Sequence, residues 1–180
     1  KKADVSSLIV TQSNQLVESR YNLTLGEQRL IFTMIAEVQP SDEDFKPHQI
    51  HLKELANYLG IDNNHVYFDC KKITKSLLKK VVEIQEPGRL VQTHWVSSAE
   101  YIDGSGVVSL TFDPLLKPYL LQLKGSFTSS NLDMLMSFKS QYTMRMYTLL
   151  KQYERLKWRK LELPLLRSML GIGSQQYERY

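Results

Sequence analysis

A short leucine pattern that occurs twice limits how this 180-residue chain can fold more than anything else in it. Leu52-Lys-Glu-Leu55-Ala-Asn-Tyr-Leu59-Gly60-Ile61 recurs as Leu163-Pro-Leu-Leu166-Arg-Ser-Met-Leu170-Gly171-Ile172, at an offset of 111 residues for all five matched positions. In both copies the leucines fall at i, i+3 and i+7, one face of a short helix. Glycine follows, the residue that enters left-handed backbone without strain and so ends a helix. The isoleucine behind it can fold back on the leucines. Polar residues come next: Asp62, Asn63 and Asn64 in the first copy, Gly173 and Ser174 in the second. Their side chains can cap a new helix. The first copy continues as a helix from about Asn64 to Lys80, which makes a helix-turn-helix.

The flanks agree with a duplication. Thr24-Leu-Gly-Glu27 matches a capping box. It opens an apolar stripe through Leu30, Ile31, Met34, Ile35 and Val38. Tyr142 to about Lys157 reads the same way through Met146, Leu149, Leu150 and Tyr153. Each stretch carries an arginine followed by apolar residues, Arg29-Leu30-Ile31-Phe32 and Arg145-Met146-Tyr147. After the first helix-turn-helix the period changes to two. Val81–Gln85 reads as a strand, Pro87-Gly88 as a turn, and Val91–Ile102 with Val107–Phe112 as a hairpin around Asp103-Gly-Ser-Gly106. Three helices and a long hairpin make a winged helix. Asp113-Pro114 then caps a short helix through Tyr119 and Leu121, and the loop Gln39–His48 is a polar surface excursion. The small polar stretch Lys124–Ser130 is the best boundary. The expected fold is α+β: tandem winged-helix domains, 1–125 and 126–180, the second truncated near the start of its recognition helix.

Charge is unevenly spread. Residues 126–180 hold nine Lys/Arg against four Asp/Glu, and residues 1–125 hold fourteen against fifteen. The single cysteine, Cys70, allows no internal disulfide and fits a reducing, cytoplasmic setting. No apolar run approaches the roughly 18 residues of a membrane span, so no membrane partner is expected.

On the Asn64–Lys80 helix, Val66, Cys70, Ile73 and Leu77 form a buried stripe, which makes Cys70 a core residue rather than a reactive thiol. Lys71, Lys75 and Lys79 fall opposite, with Lys72 beside them. A lysine row led by Asn63, Asn64 and His65 suits a recognition helix whose start approaches base edges while lysines neutralise phosphates. A merely solvated lysine face is the alternative. A second basic group, Arg155, Lys157, Arg159 and Lys160 with Trp158, then Arg167, is placed for phosphate contacts or for a charged helix end. Gln175, Gln176, Tyr177 and Arg179 would begin the second recognition helix, where glutamine can pair with adenine and arginine with guanine.

Catalysis finds little support. His48-Gln-Ile-His51 is the only close histidine pair, and residues three apart on a strand face opposite ways, so no metal site is expected. No phosphate-binding glycine loop with lysine occurs. Neither a cofactor nor a catalytic set can be named. Binding of double-stranded DNA leads, with a transcriptional repressor or a winged-helix protein-association module as alternatives.

Three blocks carry a family resemblance: Asn22-Leu-Thr-Leu-Gly-Glu-Gln-Arg-Leu30, Leu120-Leu-Gln-Leu-Lys-Gly-Ser-Phe-Thr128, and Tyr142-Thr-Met-Arg-Met-Tyr147 with Leu149 and Leu150. Together they resemble plasmid replication initiators of the iteron-binding Rep type, from about Ser13 to Tyr180. The resemblance implies two winged-helix domains related by pseudo-symmetry. It implies monomers that bind origin repeats and help melt adjacent DNA. It further implies recruitment of host initiator and helicase proteins, and homodimers joined largely through the first domain that repress the initiator's own promoter.

Overall fold

A computed structural model describes residues 8–62 and 65–173. Its first elements are β1 (Ile9–Ser13) and α1 (Asn14–Val17), which the Ser13 hydroxyl caps by accepting from the Leu16 N–H. The central helix is α2 (Leu25–Ala36). Its capping box is formed in both directions: the Glu27 N–H donates to Thr24 Oγ1 at 3.2 Å, and the Thr24 N–H to Glu27 Oε2 at 2.8 Å. Leu30 through Ala36 are all buried, because other elements cover this helix on every side; Val38 lies past its end.

Around α2 pack β2 (His48–His51), α3 (Leu52–Leu59) and α4 (Val66–Leu77). On β2, His48 is buried and His51 exposed, as strand alternation requires. Gly60 ends α3 at φ +72°. Its N–H donates to the Asn57 carbonyl, and the Ile61 N–H to that of Ala56. The later copy, α8 (Leu163–Met169), ends alike: Gly171 is at φ +69°, with Gly171 to Ser168 and Ile172 to Arg167. Both are the two-bond helix stop that a left-handed glycine permits.

After α4 come β3 (Val81–Glu86), β4 (Arg89–His94), β5 (Val96–Ile102) and β6 (Val107–Phe112). The strand expected over Val91–Ile102 is broken at Trp95. Its first half, β4, pairs with β3 in a separate hairpin, and its second half, β5, pairs with β6. Trp95 is fully buried with its ring edge-on to Tyr21 at 5.0 Å, and sinking that side chain interrupts the ladder. The larger sheet has the order β2-β6-β5, so β5 and β6 form the wing. Pro114–Leu116 is a 3₁₀ turn capped by the Asp113 carboxylate and leads into α5 (Lys117–Leu120).

The small polar stretch read as a boundary is partly a strand. β7 (Phe127–Asn131) pairs antiparallel with β1, and α6 (Leu132–Ser137) and α7 (Gln141–Lys151) follow. The expected helix to Lys157 stops at Lys151, and turns fill the remainder. The order β7, α6, α7, α8 repeats β1, α1, α2, α3, except that β2 stands between α2 and α3 in the first series with no strand at the matching place among the described residues of the second. The two series meet across a local two-fold relation centred on Thr11 and Ser129, which are paired in register with hydroxyls 2.9 Å apart. The Asn14 N–H donates to the Ser126 carbonyl at 2.7 Å, and the Leu132 N–H to that of Leu8 at 3.0 Å, one bond taken in each direction. Arg29 donates to Met136 and Phe138 carbonyls; Arg145 donates to those of Val17 and Ser19. Such reciprocity marks a self-complementary contact. Leu132, Leu135 and Met144 join α2 in one core.

Candidate nucleic-acid interface

The floor of the site is the buried side of α4. Cys70, Thr74 and Leu77 are buried there, while Val66 and Ile73 are half-buried rather than central. The helix turns Thr74 inward, and its hydroxyl lies 2.8 Å from the Tyr101 hydroxyl on β5, which ties α4 to the wing. Burial pushes both the Tyr101 phenol and the Cys70 thiol above their ordinary pKa values. A thiol so disfavoured as thiolate is a packing group.

Lys71, Lys72 and Lys75 are exposed on the opposite face of α4, and exposed Lys79 continues the row in the turn beyond Leu77. Lys80 sits apart from them, largely covered and 3.9 Å from the buried Glu27 carboxylate. The helix begins at Val66, later than its polar caps suggested. His65 stands exposed at its start, while Asn63 and Asn64 fall outside the described residues. One residue that sequence reading passed over shares the lysine face: Phe68, 67% exposed. Tyr67 beside it is held by the Tyr101 ring at 5.6 Å, with Lys71 Nζ 5.8 Å from its own ring.

The wing supplies no positive charge. From Val96 to Phe112 there is neither Lys nor Arg, and Glu100 and Asp103 are exposed or partly so. Its tip turns through Gly104 and Gly106, both at positive φ. Of the wing and α4, only the helix therefore carries exposed lysines.

The second basic group lies in the turns after α7 rather than on its last helical turn, with Lys157 at φ +64°. Arg155, Lys157 and Lys160 are exposed, as is Trp158. Arg159 points inward. Its guanidinium is 2.6 Å from the Glu18 carboxylate, donates to the Leu149 carbonyl at 3.2 Å, and stacks on the Tyr153 ring at 4.4 Å. It joins the two halves instead of offering a free cation. Arg167 donates to the Gly173 carbonyl. Gln175, Gln176, Tyr177 and Arg179 lie outside the described residues.

Among the described residues no group of three or more His, Cys, Asp or Glu side chains is placed to hold a metal ion. No helix there is long and apolar enough to cross a membrane.

Comparison with known proteins points one way. The family model described as Initiator Replication protein, WH1, matches residues 9–151. A replication initiation protein of Escherichia coli is 31% identical over 170 residues, covering 89% of this chain and 52% of that protein. The chain thus spans about half the length of that curated relative. The crystal structure of the Pi initiator protein in complex with iteron DNA superposes with a TM-score of 0.66 at 18% identity, over 92% of this chain and 73% of the other.

Proposed function

Because the chain belongs to the initiator replication protein family of plasmid initiators, we propose that it binds duplex repeats of a replication origin through α4 and initiates replication without itself catalysing a reaction. The observation that carries this is the lysine row on the outer face of the second helix of a helix-turn-helix. Three cations on one side of a helix the width of the major groove can each neutralise a backbone phosphate as the helix start meets base edges. The solved relative is bound to iteron DNA, which supports the same partner here. The reading divides the chain into a first winged-helix domain, 1–125, and a related second unit, 126–180. The repeated element order and the reciprocal hydrogen bonds between the two series support that division. Homodimers through the first domain, and host initiator and helicase proteins, are the protein partners of this reading, and the cytoplasm is its setting.

Titrating duplex affinity against salt tests it. The affinity of the chain falls steeply as salt rises, and the combined change Lys71→Ala, Lys72→Ala, Lys75→Ala makes the slope shallower by about 0.9 for each phosphate no longer neutralised. A slope that is flat to begin with, or untouched by the three changes, overturns the assignment.

A further inference from the structure

The geometry points to Phe68 as a sequence-reading residue, one that recognises the 5-methyl group of thymine in the major groove. This rests on the assignment of α4 to DNA. At about 100° per residue, Phe68 sits in the middle of the arc spanned by Lys71, Lys72, Lys75 and Lys79. At 67% exposure it is the most exposed large apolar side chain among the described residues of 1–125. Its neighbour Tyr67 is claimed by Tyr101 and Lys71.

Charge complementarity selects the occupant, since a face ringed by lysines receives a polyanion rather than an apolar protein surface. Phe68 is the third residue of α4, within the first turn, the part of a recognition helix that reaches base edges. A phenyl ring neither donates nor accepts hydrogen bonds. In the major groove the one apolar group that base edges present is the thymine methyl. Insertion of an apolar wedge between base steps is a minor-groove device, and the minor groove is too narrow for a helix. Because the wing carries no Lys or Arg, the cations of α4 stand on the same helix as Phe68 and bring that face to the duplex.

The probe is a duplex recovered from a random-sequence library by selection with the 180-residue chain, then remade with each thymine replaced in turn by deoxyuridine. That exchange removes one methyl and keeps the pairing. At one or two positions the exchange weakens binding about fourfold, the worth of one buried methyl-sized group. Phe68→Ala binds the thymine and uracil duplexes equally there, with an unchanged salt slope. Phe68→Leu, which keeps an apolar surface, retains part of the preference. Equal binding of every uracil duplex by the unsubstituted chain overturns the inference, as does a methyl preference that survives Phe68→Ala. Neither result touches the lysine assignment. Binding that fails to depend on salt or on the three lysines removes that assignment, and the role of Phe68 with it.

Discussion

At the scale of single residues, Arg145 is the side chain on which most depends. It is fully buried, donates to the carbonyls of Val17, Ser19 and Met169, and lies 4.0 Å from the centre of the Tyr21 ring. Burial draws its pKa below the ordinary arginine value and pushes that of Tyr21 up. The guanidinium is tolerated inside because its fork meets three carbonyls and an aromatic face together. Replacing it leaves those carbonyls buried without a donor. Arg145→Met is expected to cost roughly 3 kcal/mol or more of unfolding free energy. Arg29→Met should cost less, since Arg29 is half-buried and serves two carbonyls at 2.9 and 3.4 Å. Urea denaturation of the two variants measures both. Equal losses would mean that neither the deeper burial of Arg145 nor its third carbonyl adds to stability.

At the scale of elements, the two helix stops form a matched pair. Gly60 and Gly171 share a left-handed φ, but a Cβ on Gly60 would meet nothing within 4 Å, while one on Gly171 would stand 2.3 Å from the Tyr21 carbonyl oxygen. Gly60→Ala should cost about 1–2 kcal/mol, the strain of the left-handed backbone alone. Gly171→Ala carries the same strain and a clash, so its loss in chemical denaturation should be clearly the larger. Similar losses would show that the halves part easily at this point. Both stops could be read from the sequence because a glycine after a leucine stripe is a local signal, as are the Thr24 capping box and the Asp103–Gly106 turn. The break at Trp95 could not: residues on both sides alternate as strand, and nothing local says that a tryptophan leaves the ladder. Pairing of β1 with β7 joins residues more than a hundred positions apart, beyond the reach of periodicity. At the candidate site the lysine row followed from helical spacing. The inward turn of Arg159 did not, since its partner Glu18 is remote in the chain. The Arg29 and Arg145 matches did stand in the repeat, but a backbone carbonyl leaves no trace in a sequence, so their acceptors were unreadable.

At the scale of the whole molecule, the proposed boundary separates units that do not stand apart physically. Ending the chain at Gly125 would strip β1 of its paired strand and leave the Val17 and Ser19 carbonyls without Arg145. An unpaired strand edge is a template for another chain. The 1–125 fragment should therefore unfold at a lower temperature than the full chain and self-associate as its concentration rises. Calorimetry with sedimentation velocity checks this, and a monomeric fragment as stable as its parent would contradict it. Charge is organised at the same scale. The first unit is nearly neutral and sets four of its eleven lysines in one row on α4 and the turn after it, whereas the excess positive charge lies after residue 125.

The two-fold relation through Thr11 and Ser129 has a bearing on how such chains can diverge. The polar contacts about this axis run largely through backbone: strand N–H and carbonyl groups, and the carbonyls that receive Arg29 and Arg145, beside the apolar core that Leu132, Leu135 and Met144 share with α2. Every residue has a carbonyl, and all but proline an N–H, whatever the side chain. The polar part of the contact therefore asks little of the residue alphabet: an arginine in each half and small polar residues on the axis, with apolar side chains filling the core between. Substitutions that keep that core apolar can accumulate in the two halves without parting them, so a likeness between the halves survives better in the geometry than in the letters. In the sequence that likeness comes down to the five matched positions of the leucine pattern and the Arg29 and Arg145 pair in its flanks.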